Sequence, residues 1–261
     1  MPAFSCISAS PASRRSALPP SCTGPRPASN PDAPLGHHLQ DSTHITFGVL
    51  TGGVRYKRLK FDASVFTGRE PDENRLDLDR PRFDSWSARL SLNPSDRVAL
   101  QVSHGFLRSP EAREPDTDVR RTTASLMMSH PLRAGRDWTT ILVWGVNTAP
   151  DSPATHSLLA DSEAQFGRAS VYTRIEFVQR QAHDLDLDEF ADRLFPVGAL
   201  TAGAAWRLGE DRGMQLHAGA QATVYHVVDE LASVYGKRPF SLEVYLRLSP
   251  PRASGMGAGA D

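Results

Sequence analysis

The segment Phe240-Ser-Leu-Glu-Val-Tyr-Leu-Arg-Leu248 decides the fold, because apolar and polar residues alternate along its whole length. Successive side chains of a β-strand point to opposite faces, whereas a helix would space its apolar residues by three and four. One face of this strand would hold Phe240, Leu242, Val244, Leu246 and Leu248. The other would hold Ser241, Glu243, Tyr245 and Arg247. The segment is therefore predicted to be a strand with one apolar and one polar face.

The same period of two recurs from Thr43 onward and predicts about eleven strands. Each is roughly ten residues long, which exceeds the five or six residues usual in soluble sheets and suffices to cross a bilayer at a tilt of about 45°. The predicted strands cover residues 43–55, 58–67, 84–93, 97–107, 119–131, 136–147, 156–166, 168–179, 196–208, 213–226 and 238–248.

The connections between these strands tend to alternate between short and long. Compact turns built from turn-favouring residues lie at 93–96, 131–135 and 209–213. Long, charged connections lie at 68–83, 108–118 and 180–193. Short turns at one end of the strands and long polar loops at the other are typical of bacterial outer-membrane barrels.

The alternation does not by itself show which face of the sheet points outward. A soluble sandwich buries its apolar face, and a membrane barrel turns that face to lipid. The strand length, the long polar side chains suited to a wet lumen, and the tryptophans near strand ends, Trp138 and Trp206, favour the barrel. We therefore expect an all-β fold, an antiparallel up-and-down transmembrane β-barrel, with a soluble β-sandwich or β-barrel as the alternative.

The composition excludes two further classes of protein. The 261 residues include 29 Lys and Arg against 30 Asp and Glu, so the chain has no positive surplus with which to bind a nucleic-acid backbone. The longest apolar run, at 141–146, is far shorter than the roughly 18 residues of a membrane-spanning helix. We expect neither a nucleic-acid partner nor a transmembrane helix.

The first 36 residues differ from the rest of the chain. Eight prolines, seven serines and one aromatic residue, Phe4, provide too little apolar surface for a core, so residues 1–36 are predicted to be disordered. Residues 37–249 would form the barrel domain, and residues 250–261 a flexible tail. Both cysteines, Cys6 and Cys22, lie in the first segment and are interpreted as incidental.

Two observations suggest that upstream sequence is missing. Residues 1–10 show neither the basic start nor the apolar stretch of an export signal. Bacterial barrels have an even number of strands with short turns on the periplasmic side, and eleven strands would start outside the cell. We therefore expect a truncated or internally started reading frame, and a chain that forms the C-terminal portion of a larger barrel.

Six motifs between residues 33 and 248 are distinctive. They are Ala33-Pro-Leu-Gly-His-His-Leu-Gln-Asp-Ser-Thr-His-Ile45, Phe66-Thr-Gly-Arg-Glu-Pro-Asp-Glu-Asn-Arg75, Asp84-Ser-Trp-Ser-Ala-Arg-Leu90, Ala99-Leu-Gln-Val-Ser-His-Gly105, Leu107-Arg-Ser-Pro-Glu111 and Glu114-Pro-Asp-Thr-Asp-Val-Arg120. These motifs resemble an uncharacterised family of Gram-negative outer-membrane β-barrel proteins. The resemblance implies a barrel in the outer membrane, longer chains with an export signal, and no established reaction.

The polar faces of the predicted strands supply the candidate functional residues. Those expected to line the lumen are Arg89, Arg174, Glu176, Glu243 and Arg247. In an open pore they would set ion selectivity, so reversing Arg174 and Arg247 to Glu is expected to change the preference between anions and cations. A lumen packed with such ion pairs could equally be closed.

A second group of candidates combines carboxylates with arginine in the loop at 68–73. Its members are Arg69, Glu70, Asp72 and Glu73. Paired carboxylates can serve acid–base catalysis, as in a membrane-embedded hydrolase, or they can form an ion-paired loop over the rim or inside the lumen. The sequence has neither a Gly-x-Ser-x-Gly elbow nor a glycine-rich phosphate loop after a strand, so no catalytic residue is assigned.

The histidines and acidic residues do not predict a metal site. In a strand, adjacent His37 and His38 would point to opposite faces, although His44 and Asp41 could add ligands. The acidic loop at 184–192 resembles the start of a calcium loop but lacks the glycine and the final glutamate. It is interpreted as a solvated loop, with bridging to lipopolysaccharide through divalent ions as a further option. No cofactor is expected.

The expected function is an outer-membrane barrel, either a porin-like pore or a structural or surface barrel. Its expected partners are outer-membrane lipid, lipopolysaccharide and the barrel-assembly machinery, and the sequence does not identify a small-molecule solute. A soluble β-rich periplasmic binding module is the first alternative, and a membrane-embedded hydrolase is the second.

Overall fold

A single antiparallel sheet dominates the computed structural model. The structure describes the backbone of residues 3–7 and all atoms of residues 29–40, 48–69, 80–111, 115–132, 136–182, 185, 187, 190 and 193–250. Within these residues each strand pairs with the one before it and the one after it. The strands are β1 (Ala3–Ile7), β2 (Leu50–Tyr56), β3 (Leu59–Phe66), β4 (Ser85–Ser95), β5 (Val98–Leu107), β6 (Val119–Pro131), β7 (Arg136–Thr148), β8 (Thr155–Phe166), β9 (Ala169–Gln181), β10 (Leu194–Asp211), β11 (Met214–Val227) and β12 (Phe240–Ser249).

The up-and-down antiparallel sheet confirms the predicted fold class. Strands β2 to β12 correspond to the eleven predicted strands, and from β3 onward their bounds lie within three residues of the prediction. The prediction began the first of them at residue 43, whereas β2 begins at Leu50. Among the described residues no pairing joins β1 to β12, so the sheet is not closed, as expected for part of a barrel.

Strand β1 was not predicted from the sequence. Ala3–Ile7 lies in the segment for which composition predicts disorder, and it pairs antiparallel with β2, from Ala3 opposite Arg55 to Ile7 opposite Thr51. A segment of five residues with little alternation gives almost no pattern from which a strand could be predicted. The free edge of β2 offers backbone groups that any extended segment can pair with.

The two ends of the sheet differ as predicted. Four of the connections are two-residue turns at 57–58, 96–97, 167–168 and 212–213, and all lie at one end. Lys57, Gly167, Arg212 and Gly213 have φ values between 46° and 74°, the left-handed backbone that tight hairpins require. At the other end, longer connections span 67–84, 108–118, 149–154, 182–193 and 228–239. We call these the short-turn end and the long-loop end.

The helices are short and lie outside the sheet. Helix α1 (His37–Gln40) precedes β2, and helix α2 (Ala232–Tyr235) follows a 3-10 helix, Asp229–Leu231, in the connection between β11 and β12. In the described part of the chain, no helix has the length and apolar character needed to span a membrane.

The two faces of the sheet invert the usual distribution of polar and apolar residues. Large apolar side chains on one face, which we call the apolar face, are exposed: Leu90, Val102, Leu142, Leu158, Val171, Ile175, Leu200, Val224, Leu242, Val244 and Leu246. Polar side chains on the opposite, polar face are buried: Arg121, Thr123, Ser125, Ser157, Asp161, Glu163, Ser170, Arg174, Glu176, Gln215, His217, Gln221 and Thr223. Exposed apolar area on this scale marks a surface that contacts something other than water.

Small apolar clusters also lie on the polar side of the sheet. One joins Met127, Ile141, Val143 and Leu159 with Ala99. Another lies at the long-loop end, where Ala182, Phe195 and Leu231 are buried beneath two of the longer connections. These clusters anchor parts of the polar face and the loops above it.

Candidate functional site

The candidate site is the polar face between β6 and β12. The strands are paired in register without interruption along most of their length, so directly paired residues point to the same face. The residues that point to the polar face are the odd-numbered ones in β8, β11 and most of β10, and the even-numbered ones in β9. The period of two thereby brings charged residues from neighbouring strands directly opposite one another.

An ion pair lies at the centre of this face. Asp161 of β8 is directly opposite Arg174 of β9, and both side chains are buried. The Nε and Nη2 atoms of Arg174 donate to Oδ2 of Asp161 at 3.1 and 2.8 Å. The other oxygen, Oδ1, is buried without a hydrogen-bond partner among the described residues. The arginine therefore supplies the charge that makes burial of Asp161 tolerable.

A second cross-strand pair lies on the same face at the other side of the sheet. Asp62 of β3 is opposite Arg89 of β4 and is 2 % exposed. Arg89 donates through Nη2 to Oδ1 at 2.6 Å and through Nε to Oδ2 at 3.3 Å. Lys60 approaches the same carboxylate at 3.4 Å. Such bidentate geometry fixes the arginine in one orientation.

Residues 29–40, which we call the inner segment, lie against the polar face. Ser29 accepts a hydrogen bond through its carbonyl from Tyr245 of β12 at 2.6 Å, and it donates from its amide and hydroxyl to Glu163 of β8 at 3.0 and 2.8 Å. In a flat sheet β8 and β12 would be about 19 Å apart. Since one residue contacts both, the sheet must curl around the inner segment.

Two further residues of the inner segment bind charged groups of the sheet. The carbonyl of Asp32 accepts from Arg174 at 2.8 Å, and its carboxylate accepts from Gln221 at 2.6 Å. The amide of Leu35 donates to Glu176 at 2.6 Å, and its carbonyl accepts from Arg180 at 2.5 Å. Backbone groups of the inner segment thus satisfy side chains that the sheet leaves partly unpaired.

Helix α1 forms the other end of the inner segment and packs against β6, β7 and β8. Gln40 donates to the hydroxyl of Ser157 at 3.2 Å. A Cβ added to Gly145 would lie 2.4 Å from the carbonyl oxygen of Leu39, so only glycine permits this approach between helix and strand. The inner segment therefore crosses the polar face from β12 to β6.

Two tyrosines stiffen the curled part of the sheet. Tyr172 of β9 donates to Gln221 at 3.0 Å, and its hydroxyl lies 3.0 Å from that of Tyr245. A Cβ added to Gly203 would lie 2.4 Å from Cζ of Tyr172, and one added to Gly219 would lie 2.2 Å from Cζ of Tyr245. Each ring therefore lies across a glycine of the adjacent strand, as close packing against a strand backbone requires.

The residues predicted to line a lumen all lie on the polar face. Arg89, Arg174 and Glu176 make the contacts described above, and Glu243 of β12 accepts a hydrogen bond from Gln221 at 2.8 Å. Arg247 lies four residues further along β12, near the short-turn end. The structure brings Arg174 and Glu176 together around the inner segment and leaves Arg89 on the far side of the sheet.

The loop candidates are described only in part. Arg69 is exposed, whereas Glu70, Asp72 and Glu73 lie outside the described residues. The acidic residues of the loop at 184–192, His44 with Asp41, the side chains of the two cysteines and the tail at 251–261 also lie outside them. His37 and His38 lie in α1, not in a strand, with ring centroids 4.3 Å apart. Among described residues no group of three histidine, cysteine or acidic side chains is placed to hold a metal ion.

The inner segment is the part of the site that the sequence did not predict. Ser29, Asp32 and Leu35 act largely through backbone groups, which carry no signal in side-chain periodicity. A partial signal exists in the motif that starts at Ala33, ahead of the first strand predicted from the sequence. Gly203 and Gly219 at polar-face positions of long strands were a second signal, since a glycine inside a strand often marks a close approach.

Comparisons with known proteins leave the family open. The chain matches no model of a known protein family and no curated protein sequence.

Proposed function

We propose that this chain forms an outer-membrane β-barrel, or the C-terminal portion of one, whose polar interior is occupied by the inner segment. The observation that carries the proposal is the inverted distribution of residues, with an exposed apolar face and a buried polar face. In water, that much exposed apolar area is unfavourable at roughly 25 cal/mol per Å². Lipid removes this cost, and the polar interior can remain hydrated.

The chemistry of the apolar face supports lipid as its partner. Along β9, β11, β12 and the part of β10 before its bulge, alternate residues pointing to this face are not acidic, lysine or arginine. On β12 they are Phe240, Leu242, Val244, Leu246 and Leu248. Strands β4 to β12 have 10 to 18 residues, enough for the nine to eleven that a tilted strand needs to cross a bilayer.

The tryptophans support the same orientation. Trp138 and Trp206 lie toward the short-turn end, and Trp86 and Trp144 lie toward the long-loop end. All four are exposed on the apolar face, by 36 to 54 %. Tryptophan prefers the two membrane–water interfaces, so the four rings would form belts at both edges of the membrane.

The proposed role is that of a pore-type barrel which the inner segment closes. Arg174, Glu176 and Glu163 would otherwise face a water-filled lumen, and each is hydrogen-bonded to the inner segment. Outer-membrane lipid, lipopolysaccharide at the long-loop end and the barrel-assembly machinery are the partners that follow from this proposal. The proposal also includes the resemblance of this chain to uncharacterised Gram-negative outer-membrane barrels.

A matched pair of labels on one strand tests the orientation. The full chain, with Cys6 and Cys22 replaced by serine, would carry a nitroxide at Val102→Cys on the apolar face or at Ser103→Cys on the polar face. After refolding into vesicles, Val102 should be accessible to oxygen dissolved in lipid, and Ser103 to a water-soluble nickel complex. Leu200→Cys and Thr201→Cys provide a second pair.

The alternative, a soluble β-rich periplasmic module, makes the opposite prediction. Such a protein would stay folded in water without detergent, and its labels would show no contact with lipid at either position. That result would overturn the proposal. Heat-dependent electrophoretic mobility in detergent provides an independent check, because barrels resist unfolding by detergent until they are heated.

A further inference from the structure

A row of basic residues lies near the short-turn end of the polar face, on β10, β11, β12 and the turn before β9. We call Arg168, Arg207, His217 and Arg247 the basic row. His217 lies directly opposite Arg207 on one side and Arg247 on the other. The backbone amide of Arg207 donates to the carbonyl of Arg168 at 2.8 Å, which places Arg168 at the same level. The four residues therefore lie side by side, at the strand spacing of about 4.8 Å.

The three guanidinium groups of this row concentrate positive charge at one level of the polar face. Elsewhere on this face Arg174 faces Asp161 and Arg89 faces Asp62. Among the described residues no carboxylate lies within 4.0 Å of the guanidinium groups of the basic row. A bound anion would neutralise this positive charge.

The basic row surrounds a cavity of about 120 Å³. This volume is several times the roughly 10–15 Å³ that holds one water molecule. The remaining walls include the hydroxyls of Ser29, Ser170 and Ser249, and none of the described lining residues is acidic. Ser29 belongs to the inner segment, so the cavity lies at that segment's end.

Guanidinium donors of Arg247 and Arg168 remain available to a ligand. Arg247 Nε is buried and has no partner among the described residues. Arg168 uses one nitrogen on the carbonyl of Leu208 at 2.9 Å. Two carboxylates bind residues that line the cavity, since Glu210 accepts from Gln215 at 2.9 Å and Glu163 accepts from Ser29.

We propose that this cavity is a binding site for a phosphate group. Guanidinium groups bind the oxygens of phosphate with charge-assisted hydrogen bonds, and three of them can surround a dianion. Serine hydroxyls add donors of the kind that a tetrahedral oxyanion uses. A carboxylate has one charge and two oxygens, so it would leave part of the row unneutralised. The site does not depend on the sheet spanning a membrane.

The test measures phosphate binding to the refolded full chain in detergent. Inorganic phosphate is titrated calorimetrically at constant ionic strength, with chloride as the balancing anion. R247Q and R207Q should each weaken binding by about tenfold or more, because each removes a charge-assisted donor. R212Q is the matched control, since it removes an exposed charge at the same end of the sheet and should leave the affinity unchanged.

Titrations with other anions distinguish free phosphate from a phosphate ester, and phosphate from a carboxylate. Glycerol 3-phosphate in place of phosphate tests whether a phosphate ester, as in a lipid headgroup, enters the cavity. Acetate should bind far more weakly, and equal affinity would show the wrong ligand class. Equal weakening by R212Q and R247Q, or no heat of binding in a chain that passes the heat-mobility check, would overturn the proposal. If the variants within strands do not fold, R168Q takes their place in the titration, because Arg168 is located in a turn.

Discussion

Replacing Arg174 by glutamine is expected to destabilise the folded sheet by about 3–5 kcal/mol, the cost of leaving one member of a buried ion pair without its partner. Arg174 and Asp161 are 6 % and 5 % exposed, so water has little access to the carboxylate that remains. The substitution removes two hydrogen bonds to Oδ2 and one to the carbonyl of Asp32. Oδ1 has no hydrogen-bond partner in the described structure, and Arg174 is the only described side chain that donates to Asp161.

The double variant D161N/R174Q separates charge from packing. With both charges gone, only neutral hydrogen bonds worth about 1 kcal/mol each are missing, so the double variant should lose roughly 1–3 kcal/mol. The double variant should therefore be more stable than R174Q by about 2 kcal/mol, the cost of leaving the carboxylate unpaired. Urea unfolding in detergent, followed by tryptophan fluorescence, measures the three free energies of unfolding.

A surface ion pair provides the control for this comparison. Arg193 donates to Glu230 where both side chains are largely exposed, and the same removal of charge by R193Q should produce no measurable change. Equal losses for R174Q and D161N/R174Q would refute the reasoning, since they would mean that the unpaired carboxylate costs nothing. A loss for R174Q as small as that for R193Q would refute the burial of the pair.

Three further predictions concern packing, closure and selectivity. Gly203→Ala should destabilise the sheet by about 1–3 kcal/mol, because the new methyl would overlap the ring of Tyr172, whereas Gly52→Ala, with open space around its Cβ, should have little effect in the same urea titration. Deleting residues 29–36 should raise single-channel conductance in planar bilayers, and unchanged conductance would contradict closure by the inner segment. In the deleted chain, Arg247→Glu should shift the reversal potential in a salt gradient toward cation preference, and an unmoved potential would remove Arg247 from the conducting path.

The sheet could be predicted from the sequence because its residues follow one rule. Each strand from β3 to β12 alternates over ten or so residues, and a slip by one residue would reverse its faces, so both the bounds and the faces are strongly specified. The faces of β9 illustrate this, with Val171 and Ile175 on one side and Arg174 and Glu176 on the other. The alternation of short and long connections along the chain also predicted that the long ones lie at one end of the sheet.

The arrangement within the polar face could not be predicted in this way. Periodicity places Arg174 and Asp161 on the same kind of face, but only the strand register places them opposite each other. Register depends on turn lengths and on irregularities such as the bulge between Arg207 and Gly209, which reverses the direction of Glu210. Pairing across strands, and with it the basic row, therefore requires the structure.

In the proposed pore, the contacts of the inner segment predict a closure that is reversible. Ordering a residue costs about 1–2 kcal/mol, and a hydrogen bond exchanged with water returns only about 1 kcal/mol. The described hydrogen bonds of the segment are concentrated at Ser29, Asp32 and Leu35, so they cannot offset the ordering of all twelve residues by a wide margin. The groups exposed by its departure, among them Arg174 and Glu176, are charged and well solvated in a hydrated interior. A segment held so weakly can be displaced by an anion or a solute that satisfies the same side chains, which is why we expect the conductance of the full chain to depend on the ions present.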